Sequence, residues 1–587
     1  MSATVARPHA DGAAAGVADR GVLGALAGTD HKKLAGRVVA LAALWFVVGG
    51  VLALAVRLEL TEPGLQLMDE DAYNQAFTMH GSTMIYLVIA PLALALGLYM
   101  VPLQVGAADL ARPRLALLGV WLYALGGLIM WSGIFTRNGT GKASWIGLDP
   151  LSQTPWTMGA GQSLWMAGVV LAVGGMILLS ACILFTILRR RAPGMTMLRI
   201  PVFCWTMLIT CLLVLVGFPA LEVAFTAQLA ERHVPALGNV LEPIPYQHLF
   251  WFYGHPVVYV MFFPFLGAVA EVISTFAGRR FFGYRALVLS LLFFSGLSMA
   301  AWGHHMLQTG QIVTGLFALT STLLILPAGM DYFAMAATLY GGRIRLTVPM
   351  LFALGFALQF LIGGVTGIWL ASPTLDSHVH DGYFVVAHFH YTLFAGSLFG
   401  AFAAIYYWWP KVFGWTLREG LGKLHFWLLV VAANVTFFPM FLLGQDGMVR
   451  RIADYPDGLG WELYNRIATV GAFLVVVALL VFAWNVVTSR RRRTPAGDDP
   501  WEGLTLEWAT SSPPPRFNFD RPLPPIRSYA PLLDLRLARA GLPSALGRDE
   551  PLGDPEGGTF DVQRGPGLAK ERSLPGGSRG KEERGAR

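Results

Sequence analysis

Twelve runs of mainly apolar residues, each long enough to cross a bilayer, constrain this chain more than any other feature. They lie at about 36–58, 78–103, 114–136, 163–188, 200–229, 248–274, 284–309, 312–340, 346–371, 383–409, 421–444 and 464–488. Crossing about 30 Å of hydrocarbon takes roughly 20 apolar residues in a helix. Inside lipid a helix satisfies its own backbone hydrogen-bonding groups, whereas an isolated strand cannot. The expected fold is therefore all-α, a polytopic bundle of twelve transmembrane helices spanning residues 35–493. Of 587 residues, 55% are hydrophobic and only 13% charged, against about a quarter charged in soluble chains.

Basic residues orient the bundle. Lys32, Lys33 and Arg37 precede the first run. Every even-numbered run exits into arginine or lysine: Arg112 and Arg114, Arg189 to Arg191, Arg279 and Arg280, Arg343 and Arg345, Lys411 and Arg418, and Arg490 to Arg493. The first odd-numbered exit is acidic, with Glu62, Asp69, Glu70 and Asp71. Basic loops stay on the cytoplasmic side, so both termini are expected in the cytoplasm. The net charge of +7 is spent on these loops, which removes the argument for a nucleic-acid partner and leaves membrane lipid. Residues 1–34 form a polar cytoplasmic segment without a removable signal peptide. Residues 494–544 read as a cytoplasmic tail with Trp501, Trp508 and Phe517 to dock it, and 545–587 read as disordered. Cys182, Cys204 and Cys211 all fall in apolar runs as small buried side chains, with neither a disulfide framework nor a haem-attachment motif.

Six histidines share one depth in this bundle: His80, His255, His304, His305, His388 and His390. All lie near the outer ends of their runs, roughly 4–12 Å below the interface at ~1.5 Å rise per residue. A single imidazole in a membrane helix is satisfied by a backbone carbonyl. Six at one level on four helices call for metal. Residues two apart on a helix point ~200° away from each other, so His388 and His390 serve different metals on opposite faces. His304 and His305 reach one ion only where the backbone bends. With His255 they make a three-histidine set suited to copper, iron or zinc. Tyr259 stands one turn after His255 on the same face, where a phenol can supply an electron and a proton. His80 and His390 fit the two axial positions of a low-spin haem, leaving His388 as sole protein ligand of a second haem. His9, His31, His233, His248, His378 and His425 lie in tails or near run ends and read as ordinary.

At these residues the chain resembles subunit I of the haem–copper oxidase superfamily, in particular the cytochrome c oxidase type. The motifs are Phe77-Thr78-Met79-His80-Gly81, Gly254-His255-Pro256-Val257-Val258-Tyr259, Trp302-Gly303-His304-His305-Met306 and Val386-Ala387-His388-Phe389-His390-Tyr391. The resemblance covers about residues 30–520. It implies that His255, His304 and His305 bind copper B, that Tyr259 is joined covalently to His255, that His388 binds the high-spin haem, and that His80 and His390 bind the low-spin haem. It further implies a magnesium site at His380 and Asp381, haem-propionate contacts at Arg450 and Arg451, and a haem-formyl contact at Arg57. The other reading of Arg57 is an arginine that snorkels to the interface. The implied function is a respiratory terminal oxidase in the bacterial cytoplasmic membrane, reducing O2 to water, with proton translocation as an expected coupling. Cytochrome c would supply electrons through a subunit II carrying a dinuclear copper site, beside a subunit III-like partner.

The chain also departs from that family. The glutamate expected two residues after His255 is Val257, and of a substitute Tyr-Ser pair only Tyr253 is kept, followed by Gly254. Asp109 fits the mouth of the same proton route, but the asparagine expected eleven residues earlier is Leu98. The lysine of a second route is Asp331, and the threonine beside Pro327 is Ala328. Gln308 follows His305 where a threonine is usual. These losses keep a second reading open, reduction of two NO to N2O on the same scaffold, which needs two electrons and no pumping. Tyr259 favours oxygen. A redox-inactive channel would leave the paired histidines unexplained.

Overall fold

The computed structural model describes residues 22–237 and 240–542. Among these, twelve helices are long and apolar enough to cross a membrane: α1 (His31–Glu59), α2 (Glu70–Gln104), α3 (Pro113–Phe135), α4 (Ala160–Arg189), α5 (Val202–His233), α6 (Pro243–Ala277), α7 (Tyr284–Thr309), α8 (Thr314–Leu339), α9 (Val348–Ala371), α10 (Tyr383–Phe413), α11 (Glu419–Gln445) and α12 (Trp461–Arg492). Most run past the apolar stretch that marks them in the sequence. The reason is visible at α2, which starts eight residues before the apolar run expected from 78. The Asp69 carboxylate caps it by accepting from the Ala72 N–H at 2.8 Å, and polar residues then carry the helix beyond the hydrocarbon.

The helices alternate in direction. One face gathers the start of α1, the end of α2 and the segment after α12. There His31 bonds Asn518, the Gln104 amide donates to Glu507, and Arg345 donates to the Trp501 carbonyl. The opposite face gathers the even-numbered starts. There the buried Glu59 carboxylate accepts from the N–H groups of Gln66, Leu67 and Met68, and Gln308 donates to Asp376. These are called the terminal face and the loop face below.

Small residues let two helices of the bundle meet backbone to backbone. A Cβ added at Gly126 of α3 would lie 2.4 Å from the Ala172 nitrogen of α4, and one at Gly119 would lie 2.8 Å from the Gly175 oxygen. The backbones of α3 and α4 therefore touch, the usual solution where lipid gives helices no hydrophobic reason to associate. In contrast, α6 is the most buried span, while α1, α8 and α12 are the most exposed. This puts the histidine-bearing α6 in the protein interior and leaves the outer helices to meet lipid.

Residues 494–542 lie along the terminal face, and the short helix α13 (Pro531–Arg539) is part of them. The tail expected to be disordered, 545–587, and most of the polar N-terminal segment, 1–21, lie outside the described residues.

Candidate metal centre

Four helices bring six imidazoles to the loop-face half of the bundle. In α7 the α-helix ends at Ala300 and continues as a 3-10 turn, Trp302–Thr309, with Met306 at non-helical φ −124° and ψ 16°. That bend is what two adjacent histidines need to face one point. The His304 and His305 ring centres stand 4.2 Å apart, and His255 of α6 stands 4.5 Å from the first and 5.5 Å from the second. One ligand atom from each ring lies within 4.8 Å of the others. Both nitrogens of His255 and Nε2 of His305 are buried without a hydrogen-bond partner. A buried orphan nitrogen is costly, and one cation shared by the three rings removes that cost. Around the set, His304 Nδ1 bonds the Ser321 hydroxyl at 2.8 Å, and Trp251 stacks on His305 at 3.9 Å. Tyr259 meets His255 edge-on, with ring centres 4.8 Å apart.

His80 of α2 and His390 of α10 face each other with rings 9° from parallel and centres 6.4 Å apart. An imidazole nitrogen lies about 1.1 Å from its ring centre and bonds a metal at about 2.0–2.1 Å. Two rings sharing one iron therefore stand about 6.3 Å apart, so this pair fits an axial bis-histidine haem. The remaining nitrogens agree: His80 Nδ1 donates to the Gly49 carbonyl at 2.9 Å and His390 Nδ1 to the Val386 carbonyl at 2.8 Å. Each contact fixes the ring and turns Nε2 toward the partner.

His388 leaves the other side of α10. Its Nδ1 lies 2.9 Å from the Gly363 carbonyl and 3.2 Å from the Thr366 hydroxyl, both on α9. A Cβ at Gly367 would come within 2.9 Å of His388 Cε1, so only glycine leaves this ring its place.

All six histidines line one cavity of about 1880 Å³, which extends from Arg450 and Asp381 at the loop face to Lys32 near the terminal face. Pockets for single small molecules run to roughly 1,000 Å³, so this one accommodates more than one macrocycle. Arg57 lies on its wall and is buried, donating to the Asn465 backbone and side-chain oxygens at 3.0 and 2.8 Å. Its Nε and Nη1 are buried without partners. That placement answers the snorkelling alternative: the guanidinium points into protein.

At the rim, Arg450 donates to the Asp381 carboxylate, and Arg451 stands 3.5 Å from it. Burial alone pushes the Asp381 carboxyl up, but the two guanidiniums outweigh it and hold the group below its usual range. Burial, with Arg450 beside it, lowers Arg451 to about 10. His380 bonds the Asp376 carboxylate at 3.1 Å. The two residues expected to share magnesium are thus engaged by different partners. Asp109 lies at the terminal face, paired with Arg516 at 2.9 Å, while Tyr253 is buried in α6 beside the histidines. They are therefore not neighbours. His31 and His425, read as ordinary, are both buried; His31 is held between the Leu98 carbonyl and Asn518.

Several supporting residues escaped the sequence. Ser321, Thr366, Asn465, Trp251 and Asp376 carry no motif. The π-helical turns Thr83–Ile89 and Tyr391–Leu398 begin soon after the two facing histidines, and such turns recur at functional sites. Only the Gly363, Gly364 and Gly367 spacing on α9 offered a signal of close approach.

Residues 33–474 match the family model described as cytochrome c and quinol oxidase polypeptide I. A probable cytochrome c oxidase subunit 1-beta from Nocardia farcinica is 43% identical, covering 86% of this chain and 87% of the relative. The cytochrome c oxidase subunit 1 of Corynebacterium glutamicum is 41% identical over 93% and 94%. The fold is also that of a haem–copper terminal oxidase solved as a dimer by cryo-electron microscopy. That match has TM-score 0.67 and 18% identity, over 88% of this chain and 92% of the other.

Proposed function

The chain belongs to the cytochrome c and quinol oxidase polypeptide I family and is the catalytic subunit of a terminal oxidase, an oxygen reductase using haem and copper; we propose that His80 and His390 hold one haem, His388 a second, and His255, His304 and His305 the copper ion. The observation that carries this division is the opposed His80–His390 pair, spaced 6.4 Å between ring centres, on the same cavity as the orphaned three-histidine set.

When bound, these groups supply the electron relay and the reduction of O2 to water. The chain's part is positioning and charge. Gly49, Val386 and Gly363 carbonyls and the Ser321 hydroxyl hold the second nitrogen of four imidazoles, which fixes ring orientation before any metal arrives. Arg450 and Arg451 present guanidiniums suited to acidic haem side groups at the rim. Arg57 keeps two donors free on the wall for a polar haem substituent. Tyr259, against His255, is placed to give an electron and a proton to the same reaction. A magnesium ion at His380 and Asp381 would share the Asp381 carboxylate with Arg450, which contacts Oδ1. Electrons are proposed to come from cytochrome c through a partner subunit with a dinuclear copper site, since all three cysteines here are buried in spans. Both termini are proposed to face the cytoplasm of a bacterial cell.

The NO reading is not favoured: the similar relatives are named cytochrome c oxidases, and Tyr259 is in place. The test is parallel O2 and NO turnover on the isolated complex with metal analysis of the same sample. The expected result is O2 consumption with copper present. Iron at the three-histidine site with fast N2O release would overturn it.

A further inference from the structure

Glu222 is a carboxyl well inside α5, and membrane-depth carboxyls are expensive enough that they are usually kept for function. Phe218, one turn earlier on the same helix face, packs edge-on against Tyr253 of α6 with ring centres 4.9 Å apart. The same face therefore carries Glu222 toward Tyr253. On its other side lies α4, where a Cβ added at Gly174 would stand 3.7 Å from Glu222 Oε1. Both Glu222 Oε1 and the Tyr253 hydroxyl are buried without a hydrogen-bond partner. One is an acid that can donate, the other an oxygen that can accept.

The surroundings continue toward the metal centre. Tyr253 stacks on Tyr86 at 6.2 Å, Tyr86 donates to the Trp145 carbonyl at 2.9 Å, and Trp145 lines the large cavity. Val257, where the family resemblance expects a carboxyl, is fully buried and apolar.

We propose that Glu222 is the carboxyl that holds and delivers protons for oxygen reduction in this chain. The proposal rests on the oxygen reading above. In the step, the Glu222 O–H bond breaks and its proton passes through a bridging water to the Tyr253 oxygen while that hydroxyl releases its own proton toward the cavity. Tyr253 stays neutral, no electron moves, and the Glu222 carboxylate regains a proton from water on the terminal side. Tyr253 serves as a positioning and relay hydroxyl only.

The experiment is redox-difference infrared spectroscopy of the complete complex, read in the carbonyl region of protonated carboxylic acids, alongside O2 turnover and haem and copper content. The wild type is expected to show a carboxylic band that moves on reduction. Glu222→Gln should abolish it and slow turnover roughly tenfold or more, with metal and haem retained. Glu222→Asp should shift the band and recover part of the rate. An unchanged band and unchanged turnover in Glu222→Gln would make Glu222 a packing residue and end the proposal. Should Glu222→Gln fail to assemble, Glu222→Asp decides alone, a band at the wild-type position being the contrary result. A wild-type complex that consumes no O2 sinks the oxygen reading itself, whereas normal wild-type consumption with a Glu222-insensitive band sinks only this inference.

Discussion

Ser321 and Gly367 show how the centre depends on side chains that touch no metal. The Ser321 hydroxyl takes the His304 Nδ1 contact at 2.8 Å, and losing such a partner typically lowers metal affinity about 10–100-fold. Ser321→Ala is therefore expected to release copper that much more readily, measured as copper per chain after dialysis against a graded chelator. Retention equal to wild type would remove Ser321 from the account. Gly367→Ala puts a methyl group 2.9 Å from His388 Cε1. It should cost the His388 haem while sparing the His80–His390 haem, giving about half the wild-type haem with the low-spin spectrum intact. Equal loss of both haems would contradict the assignment of His388 to a separate group.

At the scale of elements, the sequence told the twelve spans and which face each histidine leaves, because apolar run length and helical angle are local properties. His388 and His390 illustrate it: two residues apart, they had to serve opposite sides of α10. The bend that lets His304 and His305 converge was only a condition in the sequence, and the 3-10 turn Trp302–Thr309 meets it. The π turns after His80 and His390 were not legible, since no residue pattern compels them and packing between helices decides. Nor was the burial of Glu507, whose carboxylate accepts from Gln104 at 3.0 Å and Trp408 at 3.2 Å, 403 and 99 residues away. Burial raises the Glu507 carboxyl above its ordinary range. A raised folded value means the docked tail binds more protons than the undocked one, so docking is strongest in acid and weakens as pH rises from the ordinary carboxylate range through the raised value. Hydrogen exchange of residues 500–510 should accordingly quicken with pH beyond its intrinsic increase, and Glu507→Gln should abolish the excess. An identical pH profile in the variant would refute the linkage.

Across the whole molecule, the two faces do separate work. The loop face holds the six histidines of the proposed metal centre, while the terminal face is closed by residues 494–542. There Lys411 donates to the Thr510 carbonyl at 2.6 Å and lies 5.2 Å from the Trp508 ring. Replacing a buried tryptophan by alanine costs about 3–5 kcal/mol, so Trp508→Ala should lower the thermal midpoint of the complex and leave haem spectra unchanged. A spectral change without loss of stability would mean that the faces are coupled. The central claim, that six histidines on four helices grip two haems and one copper ion, is tested most directly by haem and metal stoichiometry on the purified complex with optical and magnetic spectra of the same sample. The account predicts two haems per chain, one with bis-histidine low-spin signals, and one copper ion lost together with any of His255, His304 or His305. A single haem, or copper retained after all three are replaced, would contradict it.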